Sequence, residues 1–368
     1  MRRRTLLLLL GGLGTGIAGC TAAPAPTTPA APPSSASSSP TPTAGPRWPL
    51  TGRPLGDPSA AQHAAIAVKV PDNRNEHPQA GINDADIVFV QLEGYADANG
   101  ESATRLAPLF HSVLPDAVAP VRSVRPVDVP LFAPAHAVVA STGSSEWVTN
   151  YASQFSGFLD VSLTNQAAAK QGAYSIDRSR VRKLNGTTYY DRAVVSHPRV
   201  LAGLAREPFT AGPTQPYFPF AVTDADVSTL TGTPTTRIRV PWKAGGAYTM
   251  GYDYDASAGV YLRSMPWGPH VLADGQRVTT DNVVVIRAGQ RTAKLAPGGG
   301  APDPIHDIID GSGTFFYAHG GSSVQGTWAK GSVESPFAFT LADGRPLAMA
   351  PGRTFVELPA LDADVQLS

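Results

Sequence analysis

The only cysteine of the 368-residue chain is Cys20, and it closes the stretch MRRRTLLLLLGGLGTGIAGC. That position constrains the fold strongly. With no second thiol there can be no intrachain disulfide, so a packed core must hold everything downstream. The chain is long enough to bury one or two such cores. The stretch itself has the grammar of an export signal: Arg2, Arg3 and Arg4, then an apolar run, then small residues. The leucine run is too short to persist as a membrane span. The IAGC ending has the form of a bacterial lipobox, in which a peptidase cuts before the cysteine and the thiol receives lipid. Residues 1–19 are expected to be removed as a signal peptide. Cys20 is expected to carry the lipid that anchors the chain to the outer face of the bacterial cell membrane. RRRTLL also has the form of a twin-arginine signal, which leaves two export routes open.

Charge narrows the partners. The chain holds 29 Lys+Arg and 29 Asp+Glu, and losing Arg2–Arg4 leaves 29 − 3 = 26 against 29, a net charge of −3. Such a protein has no electrostatic footprint for nucleic acid. No polybasic stretch for anionic lipid is expected either, so membrane contact falls to the anchor. Residues 20–46 join Cys20 to a tract of Pro, Ser, Thr and Ala with no charge and almost no large apolar side chain. It cannot offset its ordering entropy and is expected to be an extended tether, with a reach of at most about 80 Å.

The remainder divides by pattern. Residues 47–206 predict a mixed α/β domain, α/β or α+β with a mixed sheet. AIAVKV (65–70), ADIVFVQL (85–92), TRLAPLFHSVL (104–114) and HAVVAS (136–141) read as strands. Pro108 pushes the third to an edge or a bulge. SSEWVTNYASQF (144–155) and HPRVLAGLARE (197–207) read as helices, the first capped by Ser144 or Ser145. Residues 207–234 are dense in Pro and Gly and predict a linker. Residues 235–368 read as short strands with Gly, Asp and Pro turns, an antiparallel sheet or small barrel.

Candidate chemistry concentrates in the first domain. A polar loop after the first strand carries Asp72, Asn73, Arg74, Glu76, His77 and Gln79. Arg105 starts a later strand, and PVRSVRP (120–126) sets Arg122 and Arg125 around Ser123. In polyproline II, three residues to the turn, the two arginines project from one edge; in a strand they oppose each other. Pro126 disfavours the helical region at Arg125. A guanidinium fork suits carboxylate or phosphate. Arg105, Arg122, Ser123 and Arg125, with Asp72, Asn73 and Gln79 to orient a ligand, are therefore the candidate anion site. The alternative is that the arginines pair with Asp128, Glu93, Glu101 or Asp86 and only order loops.

Other chemistry has weaker signals. STGSSEW puts Ser144 and Ser145 between a strand and a helix, so a hydrolase or transferase with His111, His136 or Asp86 as base is a second reading; G-x-S-x-G is missing, and a helix cap explains the serines as well. The eight histidines lack metal-binding spacing and no metal or cofactor is expected. His306 and Asp310 in HDIID read as a solvated pair on one helical face. Trp267 or Trp328 could dock a protein partner; core packing is the plainer role for both.

VKVPDN, HPQAGINDADIVFV, ATRLAPLF and APVRSVRP, followed by NVVVI, GSGTFFYAHGGSSVQGTWAK and DGRPLAMAPGRTFVEL, resemble in order the YerB-like lipoproteins, a bacterial family with a two-part domain of unknown function. The resemblance spans most of the chain after the tether. It implies an anchored envelope protein but no reaction. Where the family reads A-D-I-V-Y-E, Phe89 and Val90 stand here, so that carboxylate is absent. E-G-G-I-T-R is split, Glu93-Gly94 and Thr104-Arg105 bracketing an insertion, YADANGES. Ala119 replaces a glycine, and the P-H-N turn survives only as SHPRV. Arg105, Arg122 and Arg125 remain, which makes a ligand role for them an expectation. Cell-wall fragments or precursors are the anionic class that such a location implies.

Overall fold

A computed structural model describes residues 45–94, 103–293 and 303–368. The expected signal peptide, Cys20, nearly all of the tether, Glu101 and the YADANGES insertion lie outside these residues. From residue 44 onward the chain forms one compact unit.

Its centre is a 12-stranded sheet. The first half supplies β1 (Ile66–Val68), β2 (Val70–Pro71), β3 (Ile87–Leu92), β4 (Thr104–Phe110), β5 (Ala137–Ser141) and β6 (Phe158–Ser162). β1 runs antiparallel to β4 and parallel to β5, so this part is mixed. The expected half-buried strand at 65–70 is interrupted between Val68 and Val70. Pro108 explains the interruption. It sits mid-strand in β4, opposite Val88 of β3, and not at an edge. On its other side β4 pairs with β1 through Leu109 and with β2 through Leu106, and Pro108, with no N–H to give, faces the gap between them.

The apolar run of β3 is buried because it has neighbours on both sides. One is β4. The other is Thr354–Glu357, parallel to it from Ile87↔Thr354 to Val90↔Glu357. The sheet then continues through Asn282–Ile286, Gly311–His319 and Ser322–Lys330. The two sequence halves thus share one hydrogen-bonded layer. The C-terminal half is mainly antiparallel and forms no closed barrel. Its second, six-stranded sheet is built around Arg237–Pro241, Thr249–Asp255 and Val260–Met265. It packs on the main sheet where Tyr252 meets Phe355 at 6.0 Å between ring centres.

Helices are few and short: α1 (Asp128–Phe132), α2 (Glu146–Ala152), α3 (Gln166–Lys170) and α4 (Pro198–Leu204). α4 opens with proline in its first turn, as its sequence implies. Ser145 occupies the N-cap position of α2 but, contrary to expectation, its side chain makes no capping bond and goes to Asp303; Trp147 and Tyr151 pack against the core.

Three expectations change. Residues 207–234 are not a free linker: Phe209, Tyr217 and Phe218 are buried, and the Tyr217 hydroxyl donates to Leu131 O at 2.8 Å. The prolines shape turns there while the aromatics bind the segment to the core. His306 is in a strand, Pro304–Asp307, and is buried, so it forms no helical pair with Asp310. Trp328 is buried, its indole N–H on Arg287 O at 3.0 Å, which removes it as a docking residue. Trp267 is half-buried, edge-on to His77 and Tyr248.

Candidate functional site

The polar loop after β2 folds inward. Asp72 and Gln79 are fully buried and Asn73 nearly so. Asp72 accepts from Arg263 Nη2 at 2.8 Å and from Thr104 Oγ1 at 2.9 Å. Arg263 comes from the second sheet, so this buried pair ties the two sequence halves together. Burial alone would push the Asp72 carboxyl up; the Arg263 charge, helped by His77, outweighs it and holds the group well below the usual range. Gln79 donates to Pro71 O at 2.9 Å and accepts from His270 Nε2 at 2.8 Å, while Asn73 donates to Glu76 at 2.9 Å. Asp72 and Gln79 orient each other, at 3.3 Å, while Asn73 serves Glu76.

The same node gathers groups that lie far apart in sequence. Donor atoms of Asp72, His77 and His270 fall within 4.8 Å of one another, a grouping invisible to sequence spacing. A cation already stands there. Arg263 Nη1 is 2.7 Å from His270 Nδ1, and Nη2 is on Asp72. Burial and the guanidinium together push His270 far below its ordinary value, so it is neutral, accepting at Nδ1 and donating at Nε2.

The arginines of the first half separate into two roles. Arg105 is buried; its Nε lies 2.7 Å from Glu93 Oε2, its Nη2 also reaches Glu93, and its Nη1 donates to Ser123 O at 2.7 Å. Its fork is filled, as in the loop-ordering alternative. The segment carrying the two motif arginines runs between Lys69 and Thr142, with Arg122 N on Lys69 O at 2.8 Å and Thr142 N on Arg122 O at 2.9 Å. Arg125 lies near Asp303 (3.5 Å) and donates from Nε to Glu93 O; its backbone N–H reaches Asp128 at 2.6 Å. Burial, with Arg105 adding repulsion, lowers its guanidinium to about 10. Asp128 also takes the buried Lys69 at 2.6 Å and Gln91 at 2.7 Å. Ser123 Oγ meets Thr142 Oγ1 at 3.1 Å.

Arg122 turns another way, to Glu76, so the two motif arginines do not form one two-armed clamp. It is a quarter exposed. Its Nε is buried and has no partner among the described residues. Three of the four arginines in 178–192 add to it. Arg180 donates to Glu76 O at 2.9 Å, Arg182 pairs with Asp191, and Arg192 leaves its own Nε buried and unpartnered. Burial lowers the Arg122 guanidinium, with Asp191 opposing and Arg182 adding to the shift. The sequence signal for this rim is RSRVRK (178–183), four basic groups in six residues. The small net charge of the chain hides it, and the expectation of no polybasic stretch is corrected here.

Ser144 Oγ is bonded to Thr149 Oγ1 and Ser145 Oγ to Asp303 Oδ2, each at 2.8 Å. Among the described residues neither has a histidine partner. Asp86 is spent on the backbone N–H groups of His111 and Ser112, and the His111 ring packs on Trp48 and His63. His136 is exposed at the end of the short helical turn after α1.

His306 offers a test of burial. Its Nε2 accepts from Leu92 N–H at 3.1 Å, and burial pushes the imidazole down to about 4. An unfolded histidine titrates near 6.5. The neutral ring therefore contributes stability above about 6.5 that is lost as pH falls toward 4. Between pH 7 and 5, His306→Asn should lose about 2 kcal/mol less unfolding free energy than the wild type, from roughly 1.5 pH units of linkage at 1.36 kcal/mol each. Urea titrations at both pH values measure the difference, and equal losses would refute it.

Fold and site together define a two-part, mixed-sheet protein with a buried polar seam and an arginine rim, carrying no recognisable catalytic constellation among the described residues. Residues 50–199 match the N-terminal domain, and residues 238–356 the C-terminal domain, of the family described as "Protein of unknown function (DUF3048)". The chain belongs to this YerB-like family. The crystal structure of YerB from Bacillus subtilis is similar at TM-score 0.63 and 20% identity, covering 87% of this chain and 99% of that one. No curated protein matches.

Proposed function

We propose that this is a lipid-anchored protein of the bacterial cell envelope that binds an anionic group, carboxylate or phosphate, at the rim around Arg122. One observation carries the reading: Arg122, Arg180, Arg182 and Arg192 gather around three carboxylates, Glu76, Asp177 and Asp191, and the Nε donors of Arg122 and Arg192 have no partner among the described residues. Four guanidiniums less three carboxylates leave one uncompensated charge, and an anion would supply both charge and acceptors. Export and anchoring rest on the leader and Cys20. Binding without turnover is the reading because, among the described residues, Ser144 meets only Thr149, and Ser145 has the Asp303 carboxylate but no histidine beside it.

Inorganic pyrophosphate is a suitable probe. Arg122→Ala should weaken its binding about tenfold or more, the weight of a charge-assisted hydrogen bond. Calorimetric titration measures this, with the melting temperature as a check on folding. Unchanged affinity would sink the rim as the site.

A further inference from the structure

Between β7 (Tyr174–Ile176) and β10 (Val194–Ser196), which pair with each other, the chain extends a hairpin of β8 (Arg182–Leu184) and β9 (Thr187–Tyr189). Asn185 and Gly186 make its turn with φ of 50° and 79°, as a tight two-residue hairpin requires. β8 and β9 pair only with each other. Every residue from Lys183 to Tyr190 is exposed. A lone two-stranded hairpin is marginal in water, and little here repays its exposure beyond the Arg182–Asp191 pair and the Arg182 guanidinium 5.6 Å from the Tyr189 ring centre.

The exposed side chains have a pattern. Leu184 is 56% accessible, Tyr190 52%, Ile176 40% and Tyr189 39%, an unusual concentration of large apolar groups in one short segment. Around them stand Arg122, Arg178, Arg180, Arg182, Lys183 and Arg192 against Glu76, Asp177 and Asp191, so 6 − 3 leaves a local charge of +3 on a chain whose expected mature charge is −3. A leucine beside the turn, with two tyrosines and the cations further back along the hairpin, matches the layering of a bilayer surface. Acyl chains meet the aliphatic tip, tyrosines sit at the headgroups, and phosphates meet the arginines. A free sugar polymer would use the tyrosines but has no need of an exposed leucine and isoleucine.

We infer that the Arg182–Tyr189 hairpin docks on an anionic phospholipid bilayer, with Leu184 and Tyr190 entering the headgroup boundary and the rim arginines receiving lipid phosphate. This rests on the rim as an anion site and names its ligand. The chain from residue 44 to 368 keeps every contact described above, and it lacks leader and lipid, so vesicle binding reports the protein surface alone.

The test is co-sedimentation with phosphatidylglycerol–phosphatidylcholine vesicles and with pure phosphatidylcholine vesicles. The wild type should bind the anionic vesicles, weaken as salt rises, and leave the neutral ones. Leu184→Ser/Tyr190→Ser should bind at least tenfold more weakly with an unchanged melting temperature, because both side chains are exposed. Lys183→Glu removes one cation and adds an anion, and should cost more than the roughly fivefold expected for one basic residue at such a surface. The inference is overturned if the wild type ignores anionic vesicles or if the tip variant binds as the wild type does. Should pyrophosphate binding still depend on Arg122 in that case, the rim stands and only its lipid assignment falls. Should vesicle binding need the tip while pyrophosphate is ignored, the lipid contact stands and the rim reading falls.

Discussion

Asp72→Ala is expected to cost about 3–5 kcal/mol of unfolding free energy, the range for breaking one partner of a buried pair. Arg263 is fully buried, and its guanidinium rests on Asp72 at 2.8 Å. Without the carboxylate it would face the neutral His270 and the sulfurs of Met250 and Met265, with Glu357 as the neighbouring anion. Thr104 Oγ1 would lose its acceptor as well. Because the pair spans the two sequence halves, the loss should appear as one cooperative shift in the urea midpoint and not as separate melting of a second domain. The double substitution Asp72→Leu/Arg263→Met provides the control: removing both charges should recover a large part of the loss. A small effect of Asp72→Ala, under about 1 kcal/mol, would mean that the node is not the electrostatic seam described.

Cys20→Ser should have the largest effect on where the protein resides. If Cys20 is the lipid attachment point, the substitution removes the acceptor thiol. The cell-derived protein should then lose its acyl mass and retain residues 1–19, because lipobox cleavage is expected to require the modified cysteine. Intact-mass spectrometry of membrane fractions reads both changes. An unaltered amino terminus would overturn the anchoring proposal. The compact unit makes none of its described contacts through Cys20, so its melting behaviour should stay the same once the leader is removed.

The sequence made β3, β5, α2 and the proline opening of α4 readable because each has a local signal: an apolar run, a helical period, or a proline in the first turn. Long-range pairing has none. Nothing near Val90 announces that Glu357 lies beside it. The same limit explains Asp72, Asn73 and Gln79. Their polarity reads as a solvated ligand loop, yet Arg263 and His270, nearly two hundred residues later, give Asp72 and Gln79 internal partners, and Glu76 does the same for Asn73. Arg122 was visible as a candidate from PVRSVRP. Its companions at 180, 182 and 192 were hidden by averaging, because a whole-chain charge near zero says nothing about where the charges collect.

The parallel placement of Thr354–Glu357 against β3 also sets a schedule. A chain emerging from its amino end presents β3 more than two hundred residues before its neighbour exists. Until then one flank of an apolar strand offers unpaired amides and carbonyls, ready to recruit any extended peptide nearby. The final layer can close only when nearly the whole polypeptide has arrived. A chain stopped short of residue 354 would not be a smaller version of this protein. It would be an adhesive intermediate, and guarding that flank is a task for the machinery that handles nascent chains.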